Sequence, residues 1–328
     1  MSTAVKGAAA ATVASTHDEE AGISTPRAPP ASSNYKGFVA GVFSGICKLS
    51  VGHPFDTLKV RLQTAPVSQF SGPWDCLLQT VRKEGVTGLY KGATPPLVGW
   101  MCMDSVMLGS LTLYRRLLNE HIFQPLSARS ISPLPATPTP LPPLGHAIAG
   151  SLAGWTVSIL ATPVEHIKAR LQTQYQGPKA SRQYAGPIAA VRHIYTAHGL
   201  PALWHGLSAT LLFRTFFFAW WGSYDILTRV LAQRTDLSTP SVNFWAGGLS
   251  AQVFWLTAYP ADVVKQRIMT DSLDPEKRRF WRWRDAARAV HAESGWKGYW
   301  RGFVPCFLRA FPANAVALVA FEGVLRAL

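Results

Sequence analysis

Charge is scarce in this sequence of 328 residues: Asp, Glu, Lys and Arg together make up 15% of it, where an average soluble domain carries about 25%. Acids are the scarcer sign, 18 against 32 Lys and Arg, which leaves a net charge of +14. A surplus of that size fits a nucleic-acid binder or a membrane protein with basic flanks, and composition alone does not separate them. Cysteine is sparse too. Cys47, Cys76, Cys102 and Cys306 stand far apart without C-x-x-C or Cys/His ligand spacing, so neither a disulfide framework nor a metal site is expected. Nor do catalytic residues gather. His53, His166 and His205 sit beside repeated motifs rather than with cysteines or acids, which argues against an enzyme. Apolar bulk is plentiful: 12 Trp, 16 Phe and 9 Tyr exclude a chain too polar to collapse.

What is present is repetition. Pro54-x-Asp56-x-x-Lys59-x-Arg61, Pro163-x-Glu165-x-x-Lys168-x-Arg170 and Pro260-x-Asp262-x-x-Lys265-x-Arg267 share one pattern, P-x-[DE]-x-x-K-x-R. Upstream of each proline, at the same two offsets, lie small residues: Gly41 and Gly45, Gly150 and Gly154, Gly247 and Ala251. That spacing puts both on one helix face, where a neighbouring helix can approach closely. Downstream, Gly85 with Tyr90-Lys91-Gly92 matches Gly199 with Trp204-His205-Gly206 and Gly295 with Trp300-Arg301-Gly302. Repetition at this period marks a fold built from copies of one unit.

Each unit predicts helix, polar connection with a short amphipathic helix, then helix. The first helices are expected near 36–63, 145–173 and 242–270, and the second near 93–119, 206–232 and 302–327. The run after each final glycine is long enough to span a bilayer core. The reading is an all-α membrane protein with six transmembrane helices in a threefold bundle. Its parts are repeats at 35–120, 144–233 and 242–328, a disordered tail at 1–34, and a linker at 121–143 containing Pro133, Pro135, Pro138 and Pro140. Asp18, Glu19 and Glu20 argue against an acid-poor transit peptide. The basic excess gathers in the connections, as at Arg278, Arg279, Arg282 and Arg284. Apolar runs interrupt every basic cluster, so anionic lipid suits them better than nucleic acid.

Pro54, Pro163 and Pro260 each remove a backbone hydrogen bond inside a long helix and bend it. Three equivalent bends converge on one axis. An acid and a lysine follow each kink on one face, and charges at membrane depth require a polar interior or a partner. Asp56 and Lys59 can pair within one helix. In the alternative the acid of each unit pairs with the lysine of the next: Asp56 with Lys168, Glu165 with Lys265 and Asp262 with Lys59. Such a ring closes a pore, and it opens when water weakens it.

These in-register copies resemble the mitochondrial carrier family over about residues 35–328. The resemblance implies a multi-pass protein of the mitochondrial inner membrane that exchanges metabolites by alternating access, with the ring as its matrix-side gate. Gln63 and Gln172 match the glutamine braces beneath such gates, while Met269 departs. Asp225 with Arg229 and Glu322 with Arg326 resemble parts of the opposing cytoplasmic gate. The first unit has Tyr114-Arg115-Arg116 there and no acid, so that ring is incomplete. By the same resemblance Gly92, Gly206 and Gly302, together with Gly72 and Gly186, match positions that bind cardiolipin; Arg282 stands where a third glycine of the second group is expected. Helix N-termini offer N–H donors to a phosphate, and close helix entry without lipid is the rival account. No other cofactor is implied, and the expected partners of a monomer are lipid and a small-molecule substrate.

Arg309, seven residues after Gly302, and Arg214, eight after Gly206, fall near mid-membrane and are expected to face a cavity. Asp104 adds a negative charge, and Lys48 lies nearly three full turns before Lys59 on the same stripe; both are expected to face substrate unless they pair with each other. Phe216, Phe217, Phe218, Trp220, Trp221 and Trp100 can line that cavity or pack elsewhere. Two arginines with one carboxylate favour a substrate bearing a carboxylate and a positive centre. The segments 53–63 and 309–314 resemble the carnitine/acylcarnitine and basic amino-acid branch, although Thr215 follows Arg214 where an acid often stands. The expected function is exchange of a small zwitterionic carboxylate such as an amino acid or carnitine ester. A carrier of another organic anion and a non-transporting membrane scaffold are the alternatives.

Overall fold

The computed structural model describes residues 31–66, 68–123, 141–174 and 183–327, and all regular structure among them is helical. In order they are α1 (Ala31–Thr64), α2 (Pro73–Glu84), α3 (Thr94–Leu118), α4 (Pro143–Gln172), α5 (Pro187–His198), α6 (Leu207–Thr215), α7 (Phe217–Arg234), α8 (Thr239–Met269), α9 (Trp283–Gly298) and α10 (Phe303–Ala327). Short 3₁₀ segments, Val86–Tyr90 and Leu200–Trp204, follow α2 and α5. In the third unit Gly295, at φ 59°, breaks α9, and the equivalent turn follows it. Among the described residues α4 is the one helix long and apolar enough to cross a bilayer on length and composition.

Two expectations shift. Residues 31–34, placed in the N-terminal tail, already belong to α1, while 1–30 lie outside the described residues. The linker prolines between 124 and 140 lie outside them too, but 121–123 continue from α3 as a wide helical turn, and Pro143 opens α4. Proline suits that first position because its missing N–H has no partner there anyway. The second helix of the second unit is broken where one continuous helix was expected. Phe216 donates to the Phe213 carbonyl at 3.2 Å and Ala219 to the Phe216 carbonyl at 3.0 Å, the tighter 3₁₀ pattern. Ser151 and Trp155 of α4 hold the Thr215 carbonyl and hydroxyl oxygens at 2.8 and 2.9 Å, so the break leaves no polar group of Thr215 stranded.

The helices close into a ring. Each unit's second helix packs on the next unit's first: α3 on α4, α7 on α8, and α10 back on α1. Within a unit the packing differs. In the second unit Gly150 and Gly154 do let helices approach: a Cβ on Gly150 would meet Trp221 Cδ1 at 2.4 Å, and one on Gly154 the Arg214 carbonyl at 2.8 Å. Gly45 and Gly247 have nothing within 4 Å, and in their units the two long helices barely touch. Among these described glycines the close contacts are those of the second unit, while the surroundings of Gly41 lie outside the described residues.

Pro54, Pro163 and Pro260 lie inside α1, α4 and α8, and the segments that follow bury Arg61, Gln63, Gln172 and Met269 almost completely. The glycines opening the second helices adopt positive φ, 75° at Gly92, 88° at Gly206 and 80° at Gly302. A Cβ on Gly302 would sit 2.9 Å from the Lys59 carbonyl, and one on Gly92 2.9 Å from that of Lys168. Positive φ in a residue with a side chain costs about 1–3 kcal/mol, and the contact adds to it. Gly302→Ala is therefore expected to lower the detergent melting temperature by roughly 5 °C. Gly72→Ala, at an extended φ of 178° with open space around it, should change it little.

Candidate functional site

Beyond Pro54, Pro163 and Pro260, α1, α4 and α8 bring the repeated acids and lysines to one level. Lys168 Nζ lies 2.8 Å from Asp56 Oδ2, Lys265 Nζ 3.0 Å from Glu165 Oε2, and Lys59 Nζ 2.8 Å from Asp262 Oδ2. Each pair joins one unit to the next, and the three form a closed ring. A within-helix pair survives beside it, Lys265 to Asp262 at 3.3 Å. Gln63 donates to Asp262 Oδ2 at 2.9 Å, tying the α1 end of the ring to α8. Gln172 donates to Thr57 Oγ1 at 3.1 Å, next to Asp56.

Above the ring is a cavity of about 260 Å³, lined by the six ring residues together with Arg214 and Arg309. The two arginines do not stand free in it. Arg309 Nη1 is 3.3 Å from Asp56 Oδ1, and Arg214 Nη2 is 2.6 Å from Glu165 Oε1. Asp56 and Glu165 are thus each shared between a ring lysine and an arginine, while Asp262 is shared between two lysines. The lining holds five cations and three carboxylates, an excess of positive charge in a partly desolvated space. Each arginine also keeps a buried Nε that makes no hydrogen bond among the described residues.

Lys48 and Asp104 are not part of that lining. Both are exposed, form no ion pair within 4 Å among the described residues, and still feel each other's charge, with Arg309 acting on Lys48 and Arg214 on Asp104. Of the aromatic residues considered, Phe217 and Trp220 reach the cavity, joined by Phe213, Phe254 and Trp255. Trp221 instead packs on Gly150 and under the Arg115 guanidinium, 4.9 Å from its ring centroid. The side chain of Trp100 lies outside the described residues.

At the other end of the bundle, Arg229 Nε lies 3.0 Å from Asp225 Oδ2 on its own helix and donates to the Leu141 carbonyl at 2.9 Å. Asp225 also approaches His146 of α4 at 3.6 Å. The pair therefore stays within its own unit. The side chains of Glu322 and Arg326 lie outside the described residues. Gly72 and Gly186 precede the first turns of α2 and α5 with no atom within 4 Å of a Cβ at either, whereas Gly92, Gly206 and Gly302 lie close against the next unit's first helix. Arg282 takes the equivalent place before α9 with a capping box to Asp285.

The sequence that builds this ring and cavity is similar to known proteins. The family model described as mitochondrial carrier protein matches residues 30–122, 139–235 and 237–328. The chain belongs to the mitochondrial carrier family. It is 34% identical to a mitochondrial basic amino acids transporter of Bos taurus over 88% of this chain and 90% of that one. It is 32% identical to the human mitochondrial carnitine/acylcarnitine carrier protein over 91% and 96%, and 36% identical to mitochondrial substrate carrier family protein L of Dictyostelium discoideum over 89% and 95%. This carrier is accordingly a transporter of small molecules and a mitochondrial membrane protein.

The carrier also has a second tier of contacts that the motif signalled without revealing their partners. The arginine ending each repeated motif reaches the end of the next unit's first helix. Arg61 donates to the Gln172 carbonyl at 3.1 Å, Arg170 to that of Asp271 at 2.5 Å, and Arg267 to that of Gln63 at 2.7 Å. The basic residue before each positive-φ glycine does the same: Lys91 to the Gln174 carbonyl at 2.8 Å, His205 to that of Ile268 at 2.7 Å, and Arg301 to that of Ala65 at 3.2 Å. Carbonyls at a helix C-terminus lack partners and carry partial negative charge, so N–H donors and above all cations are favoured there. Burial lowers the His205 imidazole to about 4, so it donates as a neutral ring while the other five are cations. Arg61 and Lys91 additionally hold Glu84 at 2.7 and 2.6 Å. Burial pushes the Glu84 carboxyl up, but the two cations outweigh it and hold it below its ordinary value of 4.5. The stability this carboxylate contributes is present above pH 4.5 and is lost as pH falls through its lowered value. Glu84→Gln should therefore melt below the wild type at pH 7, with the gap narrowing as both are melted at pH values progressively below 4.5.

Proposed function

We propose that this carrier is an alternating-access exchanger of the mitochondrial inner membrane for a small zwitterionic carboxylate, such as an amino acid or a carnitine ester. The observation that carries this reading is the sharing of Asp56 and Glu165 between ring lysines and the cavity arginines Arg309 and Arg214. A substrate carboxylate entering the cavity competes with these acids for the guanidinium groups, whose planar forks suit it. Each acid then keeps one partner instead of two. The ring weakens as water and substrate enter, because an ion pair is worth far less when solvated. In this reading the ring is the matrix-side gate, Gln63 and Gln172 brace it, and the cavity faces the cytoplasm. Six helical passes, α1, α3, α4, α6 with α7, α8 and α10, cross the bilayer, with the six ring charges, Arg214 and Arg309 turned to the cavity. The open N-termini at Gly72 and Gly186 suit a cardiolipin phosphate, and a monomer suffices because one chain closes the ring.

Arg309→Ala should abolish exchange in liposomes while the protein keeps its melting temperature within a few degrees; unchanged uptake would remove Arg309 from the substrate site. For the ring, removing one partner of a buried pair costs about 3–5 kcal/mol. Asp262→Asn strands Lys59 and leaves Lys265 with Glu165 alone, whereas Lys59→Gln leaves Asp262 with Lys265. Melting temperatures and exchange rates should therefore fall further for Asp262→Asn than for Lys59→Gln, and the double variant should recover part of the loss. Equal effects with no recovery would refute the pairing as a working gate.

A further inference from the structure

The cavity has two unlike walls. On one side Arg309 and Lys168 stand around Asp56. On the other, Phe213 of α6 and Phe217 and Trp220 of α7 meet Phe254 and Trp255 of α8. Phe254 is buried as the hub, with ring centroids 5.0 Å to Phe217, 5.3 Å to Trp220, 5.3 Å to Trp255 and 5.5 Å to Phe213. Phe217, Trp220 and Trp255 are only partly buried and present their surfaces to the cavity.

The threefold repeat does not demand this wall. At the register of Phe254 the other units carry Lys48 and Val157, and at that of Trp255 they carry Leu49 and Ser158. Counted from the positive-φ glycines, Phe217 corresponds to Met103 and Ala313, and Trp220 to Val106 and Val316. A cluster needed for closing the bundle would recur around the axis, but this one occupies a single side.

Nor is the wall free to bind a second positive charge. Three of its five rings already face the protein's own cations: Lys265 lies 4.1 Å from the Phe213 ring centroid, Lys59 4.3 Å from Trp255, and Arg214 5.2 Å from Phe217. A ring face holding one cation disfavours another beside it, and the surrounding five cations against three carboxylates add to the repulsion. Two acceptors do remain, the side-chain oxygens of Gln172 and Gln266, which line the cavity and make no hydrogen bond among the described residues. They suit one ammonium, and the excess of cations around them opposes a further one.

We infer that the cavity selects a carboxylate whose remaining bulk is apolar, a side chain the size of leucine or phenylalanine, and discriminates against a second cationic group. The carboxylate goes to Arg309 and Arg214, and the apolar bulk lies against Trp220 and Phe217. This deepens the proposed function and rests on it. It also separates this carrier from what the name of its basic amino acids relatives suggests.

The test uses the full chain in cardiolipin-containing liposomes, with uptake measured for three pairs that differ only in apolar bulk and for two dibasic compounds. The pairs are alanine and phenylalanine, pyruvate and phenylpyruvate, and acetylcarnitine and octanoylcarnitine; the dibasic compounds are lysine and arginine. The larger member of whichever pair is exchanged should have a KM lower by about tenfold or more, the scale on which an apolar pocket discriminates. Lysine and arginine should be poorer than phenylalanine by at least as much. Trp220→Ala should reduce the large-to-small preference about tenfold, and Trp220→Phe should retain most of it, with melting temperatures of both free proteins recorded to exclude misfolding. Lysine or arginine exchanged as well as phenylalanine, or a preference unmoved by Trp220→Ala, would overturn the inference while leaving the transport reading intact. Exchange of no compound in the panel by folded protein would instead overturn the transport reading itself.

Discussion

Six charges placed at one level inside a helical bundle constrain everything around them. A lysine or carboxylate out of water loses several kcal/mol of hydration unless a partner replaces it, and in this carrier each finds its partner on the neighbouring unit. The three units are therefore not independent. α1, α4 and α8 must converge at a common depth for any one pair to form, and each carries a proline inside it shortly before its ring residues. The second tier of cations on helix C-termini holds the same three helices a few residues further on.

The sharing of ring acids with cavity arginines couples the two levels. Asp56 and Glu165 each answer to one lysine below and one arginine above, so whatever engages the arginines alters the ring. Asp262 answers to two lysines and a glutamine. The ring thus has two corners exposed to the cavity's chemistry and one held within the ring itself. That inequality comes from Arg309 and Arg214, which have no counterpart in the first unit, where Gly99 and Trp100 occupy the same registers.

Departures from threefold symmetry are where this protein is individual. Gly150 and Gly154 knit the second unit's helices together, whereas Gly45 and Gly247 face open space. The aromatic wall belongs to the second and third units alone. In a bundle made of copies, what all three share is needed for closing the ring, and what one or two possess is available for selecting a ligand.

Much of this could be read from the residues. The P-x-[DE]-x-x-K-x-R copies contain the kinks, the charge pairs and their order around the ring, because helical spacing places an acid and a lysine on one face whatever surrounds them. The glycines before the second helices were visible for the same local reason: a positive φ favours glycine wherever it occurs. The break at Phe216, the engagement of Arg309 and Arg214 by ring acids, and the gathering of Phe217 and Trp220 with Phe254 and Trp255 were not visible, since each depends on which helix faces which across the axis. Sequence determined the repeating unit and its charges, which obey local periodicity. Only the tertiary structure decided which cation each acid holds and which wall is aromatic, because those are set by distances between segments some 40 to 250 residues apart.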